Sequence, residues 1–245
     1  DQPNATHKSH ELAIAYLGGV AIILGIVLVI FGAIFSQSNL SENLALASSL
    51  LGPALVLGIV GLFDDKKALP PIPRFITQSA AGIFTAIVVI STNTVGNPSG
   101  NWLLDAVITI VWIVGITNAI NFFDNHDGGA AGTVAVISLF LFFIAFDRQQ
   151  ILVSALAIVT AGATAGFLIW NRHPAKIYMG DAGSLFLGII ISVLTIRLSP
   201  GVIPSYKSLA IPLFLMATPI LDTTVAVISR LYRGISPFQG GRDHL

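Results

Sequence analysis

The chain has no cysteine and very little charge. Without cysteine there is no disulfide and no thiolate ligand for a metal, although the compartment stays open. Charged residues are 10% of the 245 positions, where a soluble domain carries about 25%. Lys plus Arg and Asp plus Glu number 12 each, so the formal net charge is zero. That removes any bulk electrostatic case for nucleic acid as a partner. What is present is apolar: 54% of residues are hydrophobic and the mean hydropathy is +0.85. A soluble fold of this length would leave a large apolar surface in water. The composition therefore predicts an all-α, polytopic transmembrane helical bundle. There is no low-complexity segment, no obvious repeat and no second polar domain, so 1–245 reads as a single membrane-embedded domain. The start at Asp1 and the stop after a charged segment read as a fragment lacking a helix at each end.

Eight apolar runs lie near 12–35, 44–63, 75–91, 102–119, 130–146, 151–170, 183–198 and 208–229. A helix needs roughly 17–25 residues to cross the hydrocarbon core, so about eight membrane helices are expected. The runs are too long for β-barrel strands and lack their period-two alternation. Alternating crossings put the connectors 1–11, 64–74, 120–129, 171–182 and 230–245 on one side. Lys8, Lys66, Lys67, Arg74, Arg172, Lys176, Arg230, Arg233 and Arg242 lie on or near that side, against Arg148, Arg197 and Lys207 on the other. The excess of positive residues predicts that the first side is cytoplasmic. Four polar clusters fall on it: Asp64-Asp65, Asn118 to Asp127, Gly180 to Ser184, and Ser236 to His244.

Asp64 and Asp65 close a run in GLFDDKKALPPIPRF. Adjacent carboxylates at a membrane boundary need a cation or a proton to offset them. Lys66 and Lys67 would do as well as a divalent ion or a substrate proton. Arg74, after a turn stiffened by Pro70, Pro71 and Pro73, reads either as a snorkelling arginine or as a holder of a lipid phosphate. Asn118, Asn121 and Asp124 share one helical face, and Asp127 would extend it if the helix persisted. Oxygen donors without cysteine suit a hard cation such as Mg²⁺. The same residues could form an ordinary polar turn before Gly128-Gly129. Asp181 reads first as a helix cap, and second as a metal ligand at a phosphate-attracting helix N-terminus. The arginines and glycines after Arg230 suit a diphosphate, anionic lipid or the positive-inside rule alike. Asp222, about two turns inside the last run, should face protein and serve structure. Gly18 and Gly19 favour close helix packing.

In order, the segments HK-x-H…GG, GLFDD, NAINFFDNHDGGAAG, AKIYMGDAGSLFLG and RGISPFQGGRDHL resemble the polyprenyl-phosphate N-acetylhexosamine-1-phosphate transferases, glycosyltransferase family 4. The resemblance covers nearly the whole chain. It looks most like the bacterial undecaprenyl-phosphate N-acetylglucosamine-1-phosphate transferases, with the phospho-MurNAc-pentapeptide transferases as the alternative branch. It implies transfer of a sugar 1-phosphate from UDP-N-acetylglucosamine to undecaprenyl phosphate in a bacterial inner membrane, releasing UMP and using Mg²⁺ or Mn²⁺. This would be a first membrane step in cell-envelope polysaccharide synthesis, with the lipid bilayer as environment and a homodimer allowed for. By the same resemblance, Asn121 and Asp181 match metal ligands, and Asp64, Asp65, Asp124 and Asp127 match catalytic positions. Arg74 and Asn118 match the side of the lipid phosphate. Gly18, Gly19, Asp127, Arg242 and His244 match loops around the nucleotide-sugar. The sequence departs from many relatives at Ala13 to Tyr16, where a proline-rich stretch is common, and at Asp124-Asn125-His126-Asp127-Gly128.

Two rival classes fit the composition less well. A secondary transporter would place its acids near the bilayer midplane, whereas these sit at run ends on one side. A membrane scaffold would not need three acidic clusters on one face.

Overall fold

The computed structural model describes residues 15–36, 40–67, 69–91, 99, 101–199, 201 and 205–236. The described chain is helical almost throughout. The helices are α1 (Gly18–Phe35), α2 (Leu40–Lys66), α3 (Pro71–Ser91), α4 (Trp102–Phe123), α5 (Gly129–Asp147), α6 (Ile151–Asn171), α7 (Gly180–Arg197), α8 (Ala210–Leu215) and α9 (Ala217–Tyr232), with a 3₁₀ turn at Ser205–Leu209. Among the described residues the only β feature is an isolated bridge between Ala15 and Ile177.

Local chemistry sets the helix ends. Asn101 caps α4 by accepting from the amides of Leu103 and Leu104 at 3.0 and 3.2 Å. Pro71 and Pro73 sit in the first turn of α3, where a missing N–H costs nothing. Helices α1, α3, α4, α5, α6 and α7 are long and apolar enough to cross a membrane, six in all, or seven if α8 and α9 are one bent span. α2 runs for 27 residues. The eighth run is thus not one straight helix. It breaks at Met216 with a 71° bend, flanked by Pro212 and Pro219, which the apolar pattern could not reveal.

The bundle is organised around α7. Every residue from Ala182 to Thr195 is buried, and helices α1 to α6 all pack on it. Most membrane helices show lipid one face, so a helix this enclosed is the axis. Its neighbours approach closely where side chains vanish. A Cβ on Gly19 would stand 2.6 Å from the Cα of Gly183. Such contact between small residues is how helices gain packing in a membrane, where apolar burial gives no advantage over lipid.

This packing gathers one end of each helix together. The N-termini of α1 and α7 pair through Gly18 N–H to Tyr178 O and Gly19 N–H to Met179 O, at 3.1 and 2.9 Å. The C-terminus of α2 bonds the start of α7, and Arg74 in the first turn of α3 reaches both. The C-terminus of α4 bonds α7 through Asn121. The turn before α5 bonds the end of α6, and Arg230 near the end of α9 lies over the Phe122 ring, 5.3 Å from its centroid. Three of the four polar clusters therefore meet at one end of the bundle. The fourth, with Arg242 and His244, lies outside the described residues apart from Ser236.

Candidate active site

The first turn of α7 is the centre of this end. Gly180 has φ +71°, a backbone only glycine adopts readily, and a Cβ there would land 2.6 Å from the Asp65 carboxylate. That close approach lets Asp65 accept from the amides of Asp181 and Ala182 at 2.8 and 3.1 Å. A helix N-terminus carries unpaired N–H groups and partial positive charge. Asp65, delivered by α2, satisfies both. The cap of α7 is thus Asp65 and not Asp181, which corrects the simplest reading of Asp181.

Freed from capping, the Asp181 carboxylate accepts from Asn121 Nδ2 at 2.7 Å and from Arg74 Nη1 at 3.3 Å. Asn121 Nδ2 also donates to Ser184 Oγ at 2.8 Å. Arg74 Nη1 donates to Asp64 Oδ2 at 3.0 Å, and Asp64 Oδ1 accepts from the Leu69 amide at 2.6 Å. Asp64 thereby closes the α2–α3 turn and aims Arg74. Its side chain is only 4% exposed, whereas Arg74 and Asp181 are 30% and 26% exposed. Of these three charged groups, Arg74 and Asp181 are therefore the ones open to a ligand, held respectively by Asp64 and Asn121.

Asp124 follows α4 as its C-terminal cap residue. Burial pushes its carboxyl well above the usual range, and the Asp181 and Asp65 carboxylates push it further. Tyr16 was not singled out as a site residue from sequence. Its hydroxyl is pushed up to about 12, first by burial and then by Asp65 and Asp181. Its ring lies 5.7 Å from that of Tyr178, centroid to centroid. No polar pattern marks Tyr16, so only the fold shows that it faces the acids.

Other expected residues are placed elsewhere. Asn118 donates back to the Val114 carbonyl at 2.8 Å, one turn earlier on its own helix. Asp127 does not extend the Asn118–Asp124 face, because α4 ends at Phe123. It instead accepts from the Ala175 amide and from His173 Nδ1, each at 3.0 Å. Beside it, buried Asn171 accepts from the Gly128 amide at 3.1 Å and donates to the Ile177 carbonyl at 2.9 Å. Asp127 and Asn171 together latch the α4–α5 loop to the α6–α7 loop. Asn171 lies at the end of an apolar run, where no sequence pattern marks it. Gly18 and Gly19 are contact glycines: a Cβ on Gly18 would stand 2.3 Å from the Phe167 ring. Asp222 is fully buried in α9, and Arg230 is buried against Phe122.

The donor chemistry suits a hard divalent cation. Asp64, Asp65, Asp124 and Asp181 gather here; among the described residues Arg74 pairs with Asp64 and Asp181, and Asn121 and Ser184 add amide and hydroxyl oxygens. Among the described residues, no group of three or more His, Cys, Asp or Glu side chains forms a ready ligand cage. Mg²⁺ is commonly held by one or two carboxylates, with waters and substrate phosphates completing its shell.

A probable undecaprenyl-phosphate N-acetylglucosaminyl 1-phosphate transferase of Bacillus subtilis (strain 168) is 33% identical over 240 residues, covering 94% of this chain and 64% of its own length. A decaprenyl-phosphate N-acetylglucosaminephosphotransferase of Mycobacterium tuberculosis (strain CDC 1551 / Oshkosh) is 30% identical over 261 residues, covering 94% of this chain and 63% of its own. A phospho-N-acetylmuramoyl-pentapeptide-transferase of Streptococcus agalactiae serotype Ia is 33% identical over 198 residues, covering 74% and 59%. The chain thus spans about three fifths of these relatives' lengths. The sequence model of glycosyl transferase family 4 matches residues 47–199, which run from α2 through the whole of α7 and hold Asp64, Asp65, Arg74, Asn121, Asp124 and Asp181. On that match and those relatives, this membrane protein belongs to glycosyl transferase family 4.

Proposed function

We propose that this chain carries the catalytic part of an enzyme that moves N-acetylglucosamine 1-phosphate from UDP-N-acetylglucosamine to undecaprenyl phosphate, releasing UMP. The observation that carries the reading is the Asp64–Arg74–Asp181–Asn121 network. It sets a partly exposed guanidinium beside a partly exposed carboxylate, at the end of the bundle where the polar clusters meet. A reaction between a lipid phosphate and a diphosphate needs both: a cation for the anionic acceptor, and oxygen ligands for a metal on the donor. The relatives that match 94% of the chain are named for N-acetylglucosamine phosphate transfer onto a polyprenyl phosphate, which favours that sugar over the pentapeptide substrate. The count of basic residues supports a site on the cytoplasmic face of a bacterial inner membrane.

The lipid phosphate is already largely ionised at neutral pH, so activating it is a small task. The larger one is bringing two anions together. Arg74 would hold the acceptor phosphate, with Asp64 fixing the direction of the guanidinium. Asp181 and Asn121 would hold Mg²⁺ or Mn²⁺, which when bound offsets charge on the diphosphate and on the departing nucleotide phosphate. Asp65 fixes the first turn of α7 and so the position of Asp181. In the step itself, an acceptor oxygen forms a bond to the β-phosphorus. The bond from that phosphorus to the bridging oxygen breaks, and UMP takes the electron pair. The oxygens of Asp64 and Asp65 are engaged by Leu69, Arg74, Asp181 and Ala182. That engagement supports direct displacement over an aspartyl-phosphate on either residue.

The test is incubation of membranes carrying the full-length protein with UDP-N-acetylglucosamine, Mg²⁺ and undecaprenyl phosphate. UMP should appear only when all three are present. Absence of UMP from intact protein would favour a transporter or scaffold.

A further inference from the structure

A second feature lies between α1 and α6, and none of Asp64, Asp65, Arg74, Asn121 and Asp181 lines it. Helices α1 and α6 leave between them a cavity of about 630 Å³, within the size range of small-molecule sites. Its walls are Ala21, Ile22 and Gly25 from α1, and Ala163, Gly166 and Phe167 from α6. A Cβ placed on Gly25 or Gly166 would meet nothing within 4 Å, so the space beside them is open. The cavity opens on a surface that is itself apolar: Leu24, Leu28 and Ile169 beside it are more than half exposed. In a membrane, an apolar surface of this kind suits acyl chains. From Gly18 to Gly25 the groove runs roughly 10 Å inward from the helix end, at 1.5 Å per residue.

The mouth has a different character. Lys176, in the segment after α6, stands with Nζ 5.6 Å from the centroid of the Trp170 ring, and both residues line the cavity. Lys176 is the one charged residue among those lining it. Tryptophan and lysine at a helix end are the pair that settles at headgroup level. An apolar slot capped by one ammonium matches an amphiphile with an acyl chain and an anionic head.

We propose that the α1–α6 groove binds an anionic phospholipid from the leaflet bordering the site, its acyl chain along Gly25 and Gly166 and its phosphate at Lys176. This site is separate from the Arg74–Asp181 network and does not depend on the transfer reaction.

The experiment uses the full-length protein in lipid nanodiscs containing a trace of photoactivatable phosphatidylglycerol or phosphatidylcholine, with labelled peptides mapped by mass spectrometry. Phosphatidylglycerol should label the α1 and α6 peptides more than phosphatidylcholine does. Lys176→Gln should lower phosphatidylglycerol labelling about tenfold, to the phosphatidylcholine level. Gly25→Leu and Gly166→Leu, two independent ways of filling the slot, should each lower labelling by both lipids about tenfold. Equal labelling by the two lipids, or labelling indifferent to both glycine variants, would overturn the proposal. So would absence of lipid label with cysteine cross-linking that shows another helix or a second copy in the groove.

Discussion

Replacing Asp65 separates two roles that are easily confused. If the aspartate acts only on substrate, its loss should stop turnover and leave the fold alone. The structure gives it a second task, because both carboxylate oxygens accept amides from the start of α7, the enclosed axis of the bundle. Asp65→Ala orphans two part-buried N–H groups and removes a negative charge from a helix N-terminus. Loss of an N-cap costs about 0.5–2 kcal/mol, and a buried donor left unsatisfied about 1–3 kcal/mol. These overlap, so a total of about 2–3 kcal/mol is expected. For a chain of this size each kcal/mol shifts Tm by roughly 2–4 °C. Asp65→Ala should therefore lower Tm by about 4–12 °C in detergent, and Asp65→Asn, which keeps one acceptor, by about half as much. The assay is thermal unfolding followed by circular dichroism, on variants purified in parallel. An Asp65→Ala protein that loses activity but keeps the parent Tm would refute the capping argument.

Arg74→Ala should raise KM for the lipid phosphate by roughly 10–150-fold, the worth of a hydrogen bond to a charged group at about 1.5–3 kcal/mol, with Arg74→Lys in between. Transferase titrations against undecaprenyl phosphate would show it, and an unchanged KM would remove Arg74 from the acceptor site. Asn171→Ala breaks both of that residue's bonds in the loop latch and should cost about 2–3 kcal/mol, seen as a lower Tm and faster proteolysis in the 124–129 and 171–177 loops. Gly183→Val would drive a branched side chain into the backbone of Gly19 and the Met179 side chain. It should abolish recovery of folded protein in gel filtration, whereas Gly162→Val, where a Cβ meets nothing within 4 Å, should not.

Much of this was legible in the residues because the membrane constrains the chain so strongly. A scarcity of charge and long apolar runs leave little but a helical bundle, and helix direction then decides which polar clusters share a face. Asp64, Asp65, Arg74, Asn121 and Asp181 stand out as candidates because a polar side chain at the edge of an apolar run is costly unless used, while their ranking as site residues came from the family resemblance. The division of labour among them was not. Whether Asp65 or Asp181 caps α7 depends on a contact between positions 116 residues apart. Asp127 would share the Asn121 face only if the helix persisted, and it stops at Phe123. Tyr16 and Asn171 carry no local pattern that would mark them. The bend at Met216 was hidden for a related reason, since an apolar run looks the same whether the helix within it is straight or broken.

The central claim is that a phosphosugar, and not a sugar alone, is passed to the lipid. The most direct measurement uses UDP-N-acetylglucosamine labelled with ³²P in the β-phosphate, incubated with Mg²⁺, undecaprenyl phosphate and either the full-length protein or its Asp181→Asn variant. The account predicts label in the organic-phase lipid product with unlabelled UMP in water, and no labelled lipid from the variant. Label retained in water as UDP, or a variant that labels the lipid as well as the parent, would contradict it.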